Sequence, residues 1–215
     1  MAKSDLTPLC FWFKNYKVAL RGINMIKKLI AMFALCAIPS FAHAEVTEVK
    51  LGVFAHNTKL LNQKNGGKEK GPDIEGQVIF SPIEKLDFMG SPRPLVVASL
   101  NTQGETSFGG VGLTWEFKPT KKVTFEPFLG LVYHNGKHLD NPYAPSDSVN
   151  RAYANAHYLM LGSRELFWLG VSAGYEIKPD LKIYGIYEHL SHGQILHSGV
   201  NEGVDNIGIL IGKKF

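Results

Sequence analysis

From residue 45 to the C-terminus, apolar residues recur at every second position in short runs, each ended by turn-forming residues. A period of two is that of a β-strand, whose side chains alternate between its faces. Ile74, Gly76, Val78 and Phe80 share one such face, and Ile207, Ile209 and Ile211 share another. The pattern predicts eight strands, at 46–56, 74–82, 95–101, 107–118, 123–134, 165–178, 181–191 and 204–215. Connections after the second, fourth and sixth are tight or modest, as at Gly90-Ser91-Pro92-Arg93-Pro94, Pro119-Thr120-Lys121 and Pro179-Asp180. Those after the first, fifth and seventh (58–73, 135–160 and 192–203) are mostly longer. This asymmetry, with strands of about 9–12 residues, predicts an all-β fold: an eight-stranded antiparallel transmembrane β-barrel of the outer-membrane type. Aromatic residues near strand ends, such as Trp115, Tyr133 and Trp168, suit interfacial girdles, and ordinary core packing as well. A soluble eight-stranded lipocalin-like barrel shares the alternation. Several strands are too apolar or glycine-rich on both faces for a solvated exterior, which favours the membrane.

The first 44 residues stand apart. Met25-Ile26-Lys27-Lys28 is a basic start, 29–38 an apolar run, and Ala42-His43-Ala44 a small-residue cleavage site, so 25–44 reads as a signal peptide. The apolar run falls short of the roughly 20 residues of a spanning helix. Residues 1–24 read as an over-extended N-terminus, and 45–215 as the β-barrel domain. The leader carries six of the 23 Lys and Arg and one of the 19 acids, leaving 17 against 18 in the barrel. The basic balance of the whole chain is thus a property of the leader, and a nucleic-acid partner is not expected. Both cysteines, Cys10 and Cys36, lie in the leader, which excludes disulfides and a thiol nucleophile from the exported protein.

Chemistry concentrates in the last hairpin. In Tyr187-Glu188-His189-Leu190-Ser191-His192-Gly193, His189 and Ser191 are two apart and share a face. Asp205 shares its face with Ile207, Ile209 and Ile211. If that face meets lipid and the strands pair near these residues, a serine, a histidine and a carboxylate meet on the outer wall. Serine needs a base to take its proton, and the base needs a third group to fix its tautomer. The predicted catalytic residues are therefore Ser191, His189 and Asp205. Oxyanion candidates are the backbone amides of His192 and Gly193 and the side-chain amide of Asn201, although Asn201-Glu202-Gly203 reads equally well as a plain turn. His189, His192 and His197 lack a cysteine or paired carboxylate to complete a metal set, so no metal is expected. His56 and His134 read as satisfied rim histidines, and Glu188, on the opposite face from His189, as part of an interior network. Lys59, Lys64, Lys68 and Lys70 in the first long loop suit either lipid phosphates or a solvated loop.

These residues give the chain a resemblance to the lipid A 3-O-deacylase (PagL-type) family, the acyloxyacyl hydrolase-related outer-membrane proteins. It extends over the barrel domain through Leu51-Gly52-Val53-Phe54-Ala55-His56, Gly90-Ser91-Pro92-Arg93-Pro94, Asn101-Thr102-Gln103-Gly104-Glu105-Thr106-Ser107, His134-Asn135-Gly136 and Leu161-Gly162-Ser163-Arg164. His189-Leu190-Ser191 and Asn201-Glu202-Gly203-Val204-Asp205 are the most specific stretches, followed by the terminal Phe215. The resemblance implies Ser191 as nucleophile, His189 as base and Asp205 as the acid, on the lipid-facing wall of a barrel in the Gram-negative outer membrane, reached through the periplasm. It implies a serine esterase acting on the 3-position acyl ester of lipid A, without cofactor. The implied partners are lipopolysaccharide and outer-membrane lipids, with a homodimer as a candidate assembly. The chain departs from the family in having His192 where asparagine usually follows the serine, and Asp rather than Glu as the acid. A non-catalytic structural or surface-interaction barrel is the alternative function, and an esterase or acyltransferase for another membrane lipid a third.

Overall fold

A computed structural model of the protein describes residues 44–61, 66–136, 153 and 157–215. Residues 1–24, nearly all of the signal peptide, Lys64 and most of the loop 135–160 lie outside the described residues. Eight strands run in chain order: β1 (Val46–Ala55), β2 (Pro72–Phe80), β3 (Arg93–Asn101), β4 (Phe108–Thr114), β5 (Val123–His134), β6 (Glu165–Lys178), β7 (Leu181–Ser191) and β8 (Val204–Lys214). Each pairs antiparallel with the next, and β8 pairs with β1, so the sheet closes into a barrel. Closure leaves no unpaired edge, the condition for crossing a bilayer with strands.

The differences from the expected strands are local. β3 starts at Arg93, inside the segment read as a connection, because Arg93 turns inward toward Glu48, Glu116 and Glu126 at 3.4, 3.7 and 3.8 Å. Pro94 follows near the strand start, where a missing N–H is tolerated. The connection, 81–92, keeps the expected length but is shifted toward the N-terminus, and it holds a 3₁₀-helix, Glu84–Met89, closed by Gly90 in the left-handed region (φ 86°). β4 ends early at Thr114, and beyond it the Trp115 amide donating to the Pro127 carbonyl (3.1 Å) and the bridge Phe117↔Phe125 prolong its pairing with β5.

The distribution of charge decides between the two barrel types. Inside lie Glu48, Lys50, Glu75, Glu126, Lys182 and Glu188, all buried. Outside, Leu51, Val53, Leu129, Ile209 and Ile211 are each more than half exposed. Polar within and apolar without is the membrane arrangement, the inverse of a soluble barrel. Near the turn end of the lumen, Lys50 pairs with Glu126, and Tyr184 Oη donates to Glu48 at 2.6 Å. From the Tyr184 ring upward, Phe54, Phe128, Trp168, Ile186 and Leu210 fill the interior.

The loop end carries a second polar layer. His56 sits between Asp73 (Nδ1···Oδ2 2.8 Å) and Glu69 (Nε2···Oε2 2.9 Å). Asn101 donates to Asp73, and Thr106 to Glu69, tying the β1–β2 and β3–β4 loops together. Burial opposes the positive charge of His56, but its hydrogen bonds to the two carboxylates outweigh it and raise its pKa to about 9. His134 is likewise satisfied, with Nε2 against the Ser163 carbonyl and Nδ1 accepting from Gly136. Glu188 accepts from Trp168 Nε1 (2.7 Å) and Asn206 Nδ2 (2.8 Å), placing it in an interior network.

Candidate active site on the outer wall

The register of the last hairpin sets the site. His189 stands directly across from Asp205, and Tyr187 across from Ile207, so the outward rows of β7 and β8 align. Directly opposed side chains have Cβ atoms within about 4.5–5.5 Å. At that separation His189 Nδ1 and Asp205 Oδ1 meet at 2.6 Å. The Asp205 side chain is 2 % exposed and that of His189 31 %. A neutral imidazole donating from Nδ1 keeps the lone pair on Nε2, the tautomer a general base requires. Tyr187 Oη donates to the same Oδ1 at 2.9 Å. The Asp205 carbonyl also accepts from the Thr58 amide at 2.7 Å, fixing the backbone here from the β1–β2 loop.

Ser191 lies on the same outward row, opposite Phe167 of β6. Its hydroxyl forms no hydrogen bond to His189 among the described residues, so the structure joins two of the three expected residues and leaves the third alongside. Catalytic contacts of this kind commonly tighten only when substrate is bound.

The oxyanion candidates divide. The His192 amide, expected as a donor, is instead engaged by Asn201 Oδ1 at 3.3 Å. Its side chain is fully buried, with Nε2 on the Val200 carbonyl (2.9 Å) and Nδ1 accepting from the Gln194 amide (3.1 Å). His192 is thus an internal staple of the β7–β8 loop, and it packs against Gly162, where a Cβ would come within 2.9 Å of Nε2. Gly193 and Gln194 both take positive φ (60° and 57°), reversing the chain beside Phe167. The Gly193 amide and the Asn201 Nδ2 group are the donors left for an oxyanion. Gly203, with φ 71°, lets the loop close over the imidazole; a Cβ there would lie 2.9 Å from His189 Cε1.

Two contributors escaped the sequence reading. The sequence assigns Tyr187 no role in the site, although its place two residues before His189, on the same face, is the available signal. Glu202 was read as turn, yet it accepts from Lys68 Nζ (2.5 Å) and the Met160 amide (3.0 Å), latching three loops above the site. Lys68 is therefore held by protein; Lys59 and Lys70 stay exposed. His197 meets His192 edge-on at 5.9 Å between centroids, and no cluster of three metal-ligating side chains occurs among the described residues.

Similarity to solved structures lies in the same architecture. The outer-membrane enzyme PagL aligns over 78 % of this chain and 99 % of its own at 12 % identity, with a TM-score of 0.51. The fold is that of an outer-membrane barrel. The N-terminal barrel domain of Pseudomonas aeruginosa OprF (10 % identity, 80 % of this chain and 100 % of its own, TM-score 0.46) and the Neisserial surface protein NspA (13 % identity, 80 % and 99 %, TM-score 0.44) are further similar structures. No protein-family model and no curated protein matches the chain. At these identities the likeness extends to the fold and not to the chemistry.

Proposed function

We propose that the protein is an outer-membrane serine esterase that hydrolyses the acyl ester at the 3 position of lipid A, with Ser191, His189 and Asp205 as its triad. The observation that carries this reading is the 2.6 Å contact of His189 with Asp205 on the apolar outer wall, with Ser191 in the same row. Polar groups there are expensive unless used, and an ester carried by a membrane lipid lies in the layer this wall faces. The resemblance of the last hairpin to the deacylases supplies the substrate.

In the reaction, Ser191 Oγ transfers its proton to His189 Nε2 as it attacks the ester carbonyl. Asp205 stabilises the resulting imidazolium, and the Gly193 amide and Asn201 Nδ2 receive the oxyanion. Collapse expels the sugar alkoxide, which takes the proton from His189. Water, deprotonated by the same imidazole, then releases the fatty acid and restores Ser191.

Ser191→Ala is expected to abolish release of fatty acid from lipopolysaccharide, read by mass spectrometry of lipid A, in a barrel that keeps its heat-modifiable gel mobility. Activity persisting in that variant rejects the assignment. The unbonded Ser191 hydroxyl favours a second reading, a non-catalytic surface barrel, which predicts identical lipid A with and without the protein. Loss of acyl chains from a different lipid identifies the third reading, another membrane esterase or acyltransferase.

A further inference from the structure

Asp205 Oδ1 accepts two hydrogen bonds, from His189 Nδ1 and from Tyr187 Oη, and only the first belongs to the triad. We infer that Tyr187 is a positioning residue of this site, which pins the Asp205 carboxylate and takes part of its charge so that the His189–Asp205 bond keeps its geometry; the inference rests on the esterase reading above. Tyr187 lies one row below Asp205 on the paired strand, diagonal to it, a separation that a long aromatic side chain spans.

Three physical effects converge on that phenol. The terminal torsion of an aspartate is broad, so a second donor on Oδ1 narrows the carboxylate to one orientation. A buried carboxylate is costly without hydrogen-bond partners, and the Tyr187 hydroxyl supplies one while its ring adds apolar surface to the wall. Sharing Oδ1 also weakens its hold on the imidazole proton, because each donor drains charge from the same acceptor. Aspartate is shorter than glutamate and has less freedom to find its partner, which makes a fixed orientation more valuable here. Other charged or titratable groups on the surrounding elements are Arg164 and Glu165 at the upper end of β6, His192 and His197 in the β7–β8 loop, and the Lys68–Glu202 pair. Next to His189 itself, β6 offers Leu169, between Phe167 and Val171 in the outward row, and Glu188 faces the lumen.

The test is Tyr187→Phe in the full chain, assayed on purified lipopolysaccharide in detergent micelles, with the Nδ1–H proton resonance of His189 followed in the Ser191→Ala background. Removing one hydrogen bond to a charged acceptor is expected to lower kcat about tenfold while KM stays within about twofold. The acidic limb of the rate profile should move to higher pH, and the Nδ1–H resonance downfield, because Asp205 then interacts with His189 alone. A 3-fluorotyrosine at position 187, a stronger donor, should move the resonance upfield, and this arm stands in if the Phe variant does not fold. Unmoved resonance and an unmoved limb overturn the inference. If the parent protein releases no fatty acid, the esterase reading fails by itself, while the resonance still decides whether Tyr187 governs the His189–Asp205 pair.

Discussion

An aspartate on a wall that faces lipid is costly unless it is hydrogen-bonded, and Asp205 holds both a histidine and a tyrosine on its Oδ1. Its carboxylate selects the imidazole tautomer, which an amide in its place would not do dependably. Asp205→Asn should therefore lower kcat by about 10³-fold or more while leaving the barrel folded, measured as acyl release from lipopolysaccharide. At this scale the sequence was legible wherever the period of two governs: Tyr187, His189 and Ser191 had to share a face, and so did Asp205 and Ile207. It was not legible in the loop. The capture of the His192 amide by Asn201 depends on two consecutive positive-φ residues, and Gln194 is not a residue type that announces such a turn.

The loops, more than the strands, set how the site is covered. Glu202 joins the β7–β8 loop to Lys68 and to the Met160 amide. Glu202→Gln is expected to leave the thermal unfolding of the barrel unchanged, to expose residues 192–203 to limited proteolysis, and to reduce activity several-fold. The layer around His56 answers to pH. Its pKa is raised from 6.5 to about 9, so its contribution to stability is complete below about 6.5 and is lost as pH rises through about 9. Urea unfolding at pH 6 and pH 10 should differ accordingly, and His56→Gln should remove that difference. Strand positions were readable because turn residues bracket each run; the contacts between loops were not, since Lys68 and Glu202 are 134 residues apart and no local pattern links them.

Over the whole molecule, alternation predicts two faces for every strand but not which one meets lipid. The buried charges answer that, and they also bear on stability. Lys50 is paired with Glu126 in the interior, so Lys50→Met leaves a carboxylate with Arg93 at 3.8 Å as its remaining cation. Such a loss should destabilise the barrel by about 3–5 kcal/mol, read from urea titrations of protein folded into vesicles. The packing above this ion layer has a different consequence. Trp168, Phe54 and Leu210 occupy the bore there with almost no accessible surface, over a Tyr184 ring buried in the ion layer itself. Reconstituted across a planar bilayer, the protein should pass no steady current at any voltage the bilayer tolerates, and small sugars trapped in liposomes that carry it should stay inside.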